Sequence, residues 1–142
     1  MKKIYLVLIL ILSCGLAGAE YYGQSQVADT YQWPPISEKR AIKAILGEAR
    51  GGGYEAMYAV ACGIRNRGTL KGVRGVNAFM EPISGDLYQL ASKAWHTSED
   101  GPDVTHGGTH WENVKKFGKP RWTRKMAETA IIGDHVFYRE RK

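Results

Sequence analysis

The run Ala44-Ile45-Leu46-Gly47-Glu48-Ala49-Arg50-Gly51-Gly52-Gly53 sets one acidic side chain where an apolar helical stripe meets three glycines. At about 100° per residue, Glu48 falls on the edge of the stripe formed by Ile42, Ile45, Leu46 and Ala49. Ala44 and Ile45 lie one turn back and Ala41 two turns back, while Lys43 and Arg50 project from the far side. Apolar flanks disfavour the charged form of a carboxyl group. That is the condition under which such a group serves as a general acid near neutral pH. The glycines beyond it would let a polymer approach the backbone closely. A plainer reading also fits: a solvated glutamate at a helix end, paired with a nearby arginine. A negative charge in the last turn has the wrong sign for the helix dipole, which invites a functional reason without supplying one.

Other reactive types are sparser. His106 and His110 have the i, i+4 spacing that zinc sites use, with His96 and His135 elsewhere in the chain. That spacing brings two ligands together only on a helix, and Gly107-Gly108 between them argues against one, so no metal and no other cofactor is predicted. Cys62 stands in a run of small and apolar residues, which reads as a buried thiol and not a nucleophile.

The elements that must position these groups follow from periodicity. Ser37 stands at an N-cap position and Glu38 in a first turn, and the apolar spacing predicts a helix over 38–49. Tyr54, Met57, Tyr58, Ala61 and Ile64 mark one face of a second helix over 54–67, stopped by Gly68. A third is predicted over 87–97, with Leu87, Leu90, Ala91 and Ala94 on one side. The last third is cut by Gly101-Pro102, Gly107-Gly108 and Gly118-Lys119-Pro120, and its segments 109–113, 129–132 and 136–138 have strand-like content. Helices first and strands after predict an α+β domain with a helical core and a small antiparallel sheet near the C-terminus.

The N-terminus is of another kind. Met1-Lys2-Lys3, an apolar run over 4–12 and Ala17-Gly18-Ala19 have the grammar of a secretory signal peptide, with cleavage expected after Ala19. Cys14 after Leu12-Ser13 partly matches a lipoprotein signal, so a lipid anchor there, or an uncleaved anchor, are alternatives. Residues 20–36 are polar and end in Trp33-Pro34-Pro35, which reads as a linker or extended arm before a domain over 37–142. Cleavage would leave Cys62 as the one cysteine, so no internal disulfide is expected, and would lower the formal charge from +6 to +4. The positive residues are spread along the chain, so no nucleic-acid site is assigned, and no membrane span is expected after cleavage. A monomer exported to the periplasm or cell wall is the expectation.

Three segments together carry a resemblance. Over 44–68, Ala-Ile-Leu-Gly-Glu-Ala-Arg-Gly-Gly-Gly-Tyr-Glu-Ala-Met-Tyr-Ala-Val-Ala-Cys-Gly-Ile-Arg-Asn-Arg-Gly resembles the signature of the cell-wall hydrolases related to spore-cortex-lytic enzymes, the SleB type. The match falls on Gly47, Glu48, Ala49, Arg50, Gly51, Tyr54, Glu55, Ala59, Val60, Asn66 and Arg67. Residues 103–113 resemble the family's Asp-x-Thr-x-Gly-Ala-Thr-His-aromatic-x-Asn segment, Pro120 and Trp122 follow, and 131–139 resemble its closing Ile-Gly-x-His-x-Phe-Tyr. Gly52 and Gly53 stand where the family has a glutamate and a proline, and Gly108 replaces an alanine.

The resemblance implies a lysozyme-like fold and cleavage of the β-1,4 bond between N-acetylmuramic acid and N-acetylglucosamine, with Glu48 as the catalytic acid and base. It implies peptidoglycan glycan strands as the partner. A lytic transglycosylase needs one carboxylate, because the sugar's own 6-hydroxyl is the nucleophile, whereas ordinary glycoside hydrolysis uses two. A water-dependent muramidase, a non-catalytic wall-binding protein on the same scaffold, motivated by Gly52, and a metal-dependent amidase are the alternatives. His110, Asn113 and Trp122 would line the sugar groove, and His135 and Tyr138 on the last strand are raised by the same match. Tyr54, Glu55 and Arg67 could bond across the cleft. The competing roles are structural: a satisfied histidine for His110, core packing for Trp111 and Phe137, and a favourable helix-end charge for Arg67.

Overall fold

The computed structural model describes residues 35–78 and 82–142. The predicted signal peptide, Cys14 and residues 20–34 of the predicted arm lie outside the described residues. No helix among those described is long and apolar enough to cross a membrane.

Helix α1, Glu38–Ala49, has the predicted bounds. Ser37 takes the N-cap with extended backbone, but its side chain makes no capping bond; its carbonyl instead accepts from the Arg40 and Ala41 amides, each at 3.0 Å. Ile42, Ile45 and Leu46 are buried, each worth about 1.5–3 kcal/mol of burial. Helix α2, Gly53–Arg67, is closed by Gly68 in the left-handed region at φ 68°. Every residue over 56–64 is buried, on all sides of α2. This is the signature of a helix packed all round, and α2 is the centre of the core.

Helix α3, Gly85–Asp100, begins where the Ser84 hydroxyl accepts from the Leu87 amide at 3.3 Å. It runs beyond the predicted 87–97 at both ends. Its last turn is polar and breaks the apolar period, but tertiary bonds hold it. Arg65 donates through Nε to Ser98 Oγ and through Nη2 to the Trp95 carbonyl, both at 2.8 Å, with its guanidinium over the Trp95 ring.

The sheet is three-stranded and antiparallel, in the order β1 (His110–Asn113), β3 (His135–Glu140), β2 (Met126–Ile132). Pairing sets Trp111 opposite Phe137 and Asn113 opposite His135, with a bulge on β2 between Glu128 and Ala130. Trp111 and Phe137 face the helices, and Phe137 joins their core. His110 and Tyr138 face the other way, towards Trp122 on a 3₁₀ turn at Arg121–Lys125. The α+β class and the small C-terminal sheet agree with expectation. The short helix α4, Val114–Phe117, and the 3₁₀ turns at Arg74–Asn77 and Arg121–Lys125 have no periodic signal and were not predicted.

The loop between α3 and β1 is tied to α2 by Asn66, whose Nδ2 donates to Asp103 Oδ2, Thr105 Oγ1 and the Gly108 carbonyl at 2.9–3.1 Å. Asp103 also accepts from the Thr105 amide and hydroxyl and from the Gly107 amide. Burial alone would push its carboxyl up, but bonds from Thr105, Asn66 and Gly107 outweigh that and hold it below its ordinary value of 3.8. A depressed folded value contributes stability that is present above the unfolded value and lost as pH falls through the folded one. Asp103→Asn is therefore expected to lower the melting temperature by a few degrees at pH 7, a modest effect because Asp103 is exposed and water screens and replaces part of what its hydrogen bonds contribute. The gap from wild type closes as pH drops below 3.8. Thermal melts of both proteins from pH 7 to pH 2 check this, and a pH-independent gap contradicts it.

Candidate active site

Glu48 is half-buried at the end of α1, and both of its oxygens are engaged. Oε1 accepts from the Gly75 amide at 2.6 Å, and Oε2 accepts from Trp111 Nε1 at 3.3 Å. Each oxygen keeps lone-pair capacity for a further partner.

Glycines make both bonds reachable. The 3₁₀ turn at Arg74–Asn77 lies against α1, backbone to backbone. A Cβ added to Gly47 would collide with the Gly75 carbonyl oxygen and stand 2.5 Å from its Cα; one on Gly75 would stand 2.5 Å from the Ala44 carbonyl oxygen and 2.8 Å from Glu48 Cγ. On α2, a Cβ at Gly63 would stand 3.0 Å from Cε3 and Cζ3 of Trp111. The indole therefore lies directly on the helix, with its N–H reaching Glu48.

Three depressions meet at this carboxylate. One, of about 180 Å³, is lined by Glu48, Arg67, Gly72, Val73, Arg74, His110, Trp111, Glu112 and Trp122. The other two, of about 420 and 380 Å³, share Gly47, Glu48, Asn113, Lys116 and His135. Glu48 thus stands part-way along a trough that takes in both faces of the edge strand β1, which suits an extended ligand more than a small enclosed one.

The cationic side of the trough is fixed. Arg67 donates through Nη2 to the Lys71 carbonyl at 2.6 Å and through Nη1 to the Thr109 carbonyl at 3.5 Å. Burial lowers its pKa, but a guanidinium stays charged. His110 is pushed down by burial and then by the Arg67 charge, so it is neutral at pH 7, with Nδ1 2.9 Å from Thr109 Oγ1. Its ring centroid is 5.8 Å from that of Trp122, which is 38% exposed and free to present a face to a ligand.

The predicted site residues separate into groups. Glu48, Arg67, His110 and Trp122 share one depression; Asn113 and His135 line the other two, which also hold Glu48. Asn113 Oδ1 also caps α4, accepting from the Lys116 amide, and His135 is buried with Nδ1 lacking a hydrogen-bond partner. Tyr138 is only 1% exposed and lies under Trp122, ring centroids 5.3 Å apart at 83°. It lines a separate depression with Arg124 and Arg141, so its place is a platform beneath Trp122 and not the trough. Burial, then Glu128 and Glu112, raise its pKa. Tyr54 and Glu55, at the start of α2, line none of the depressions that meet at Glu48; Tyr54 stacks on Tyr58, with Lys93 5.4 Å from its ring centroid.

Arg74, Glu112 and Lys116 line the trough without having been predicted there, and Trp111 lines it although core packing is its leading expectation over groove lining. Trp111 both packs against the core and touches Glu48, so the core reading described half of its role. Among the described residues, no group of three or more His, Cys, Asp or Glu side chains could hold a metal ion. His106 has φ 52° and His96 is bonded to Glu38 at 3.0 Å.

No protein-family model matches the chain, and no curated protein matches it. Two solved structures do. The catalytic domain of the germination-specific lytic transglycosylase SleB from Bacillus anthracis is 27% identical, with a TM-score of 0.53 over 72% of this chain and 93% of that one. The chain has the SleB-type, lysozyme-like fold. The catalytic domain of the Bacillus cereus SleB protein matches with the same TM-score at 24% identity, over 75% of this chain and 93% of that one. Almost the whole of each SleB domain therefore has a counterpart here.

Proposed function

We propose that the protein is an exported peptidoglycan-cleaving enzyme, a lytic transglycosylase acting on the bond between N-acetylmuramic acid and N-acetylglucosamine. The observation that carries this reading is the Glu48 carboxylate, gripped by the Gly75 and Trp111 N–H groups at the meeting point of three depressions. Likeness to the catalytic domain of a lytic transglycosylase supports it.

In this reading Glu48 gives its proton to the glycosidic oxygen as the C1–O bond breaks. The muramic 6-hydroxyl then bonds to C1 and returns its proton to Glu48, closing a 1,6-anhydro ring. The substrate's N-acetyl group steadies the cation between the two steps. General acid–base help of this kind is worth roughly two to four powers of ten. Two rigid N–H donors keep the carboxylate from swinging into solvent, and such fixed geometry is what proximity effects require. Trp122 and neutral His110 form a face for a pyranose ring, and Arg67 supplies donors beside it.

Digestion of purified sacculi by the full chain, followed by mass spectrometry, tests the assignment: soluble muropeptides with 1,6-anhydro ends are expected. Binding to sacculi without release of fragments would instead mean a wall-binding protein, and activity abolished by a chelator would point to a metal amidase. Trp122→Ala is expected to raise KM by about two- to tenfold, the worth of one stacking contact, with a smaller change in kcat. An unaltered KM would remove Trp122 from the sugar face.

A further inference from the structure

Lytic transglycosylation needs one carboxylate, yet the trough holds two. Glu112 on β1 lines the same depression as Glu48, Arg67 and Trp122, and also one of those that Glu48 shares with Asn113 and His135. It is half-buried. Its Oε1 accepts from the neighbouring Asn113 amide at 3.1 Å, and no cation pairs with it among the described residues. A half-buried carboxylate with no salt bridge of its own keeps acceptor capacity for a ligand hydroxyl or a water in the trough. Glu48 comes from α1 and Glu112 from β1, so the two acids reach the trough from different elements. Both are fixed by hydrogen bonds, Glu48 to Gly75 and Trp111, and Glu112 to the strand's own backbone.

We infer that Glu112 is a second catalytic carboxylate, a general base that opens a hydrolytic branch beside the transglycosylase one. The inference rests on the glycan-cleaving reading above and concerns only the fate of the cation. Glu48 protonates the leaving oxygen and the C1–O bond breaks, as before. A water then bonds to C1 while Glu112 takes one of its protons. The muramic end leaves as a reducing sugar, Glu112 ends protonated, Glu48 ends ionised, and one proton returns to Glu48 through solvent. Two carboxylates that flank one glycosidic bond are the general requirement for water attack. The 6-hydroxyl, held within the sugar, competes with that water, so both products form.

Product analysis decides it. Full-length wild type acting on sacculi, with the digest reduced by borohydride, is expected to yield reduced muramic ends as well as 1,6-anhydro ends. Glu112→Gln should lower the ratio of reducing to anhydro ends by about a hundredfold or more, the low side of what a general base contributes. Glu112→Asp, which keeps a base one methylene shorter, should recover part of that ratio. Anhydro ends alone from wild type, an unchanged ratio in Glu112→Gln, or equal loss of both products in that variant each overturn the inference. A wild type that cleaves nothing overturns the glycan-cleaving reading itself, and the inference with it.

Discussion

Glu48→Gln slows release of glycan fragments from sacculi by roughly two to four powers of ten while the protein stays folded. The amide is isosteric, so the end of α1 keeps its packing. Its oxygen can still accept from the Gly75 amide, which stands at 2.6 Å in the wild type. Its NH₂ then faces the Trp111 N–H, and one charge-assisted bond is lost. That costs about 1–2 kcal/mol, or a melting temperature lower by several degrees. What disappears is the proton: an amide cannot give one to a leaving oxygen or take one from a 6-hydroxyl. Initial rates on sacculi and a thermal melt, taken together, separate the two effects. Full activity in the variant would falsify the assignment of Glu48, and collapse of the fold would show that the carboxylate is mainly structural.

Gly47→Ala is expected to damage both stability and activity, although it adds only one methyl group to an exposed residue. The new Cβ would be driven into backbone atoms of Gly75, at 2.5 Å from Cα and 2.7 Å from C, and backbone cannot swing aside as a side-chain tip can. Overpacking of this kind costs about 1–3 kcal/mol, more than the ~1 kcal/mol that alanine gains over glycine inside a helix. Relief comes only by pushing the 3₁₀ turn away from α1, which stretches the Gly75 N–H bond to Glu48. A displacement near 1 Å is enough to cost about a hundredfold in rate. Gly85→Ala, where a Cβ meets nothing within 4 Å, is the matched control and should melt close to wild type. Equal melting temperatures for Gly47→Ala and Gly85→Ala would mean that the turn does not bear on α1.

The sequence alone placed the three long helices and singled out Glu48 as the candidate acid. Apolar residues at helical spacing are a local pattern, and so are the serine before α1 and the glycine that ends α2. The bounds of α1 therefore agree with the prediction, and Glu48 sits at the edge of the stripe where its angle on the helix places it. Strand content in the last third likewise foretold a small sheet, with its edges off by a few residues because pairing partners extend β2 and β3 beyond the β-rich runs.

Only the tertiary structure decided what surrounds that acid. The amide that grips Oε1 belongs to Gly75, and the indole that grips Oε2 belongs to Trp111, 27 and 63 residues away along the chain. Such distances carry no periodic signal. The same holds for Glu112, which reads in sequence as one more polar strand residue. Tyr138 went the other way: alternation set it on one face of the last strand, but Trp122 covers that face and turns a predicted groove residue into the support beneath one. Local spacing fixes which face a side chain takes on its own element. Whether that face meets solvent, core or a second carboxylate is set by how closely two backbones approach, here at Gly47 against Gly75 and at Gly63 beneath Trp111.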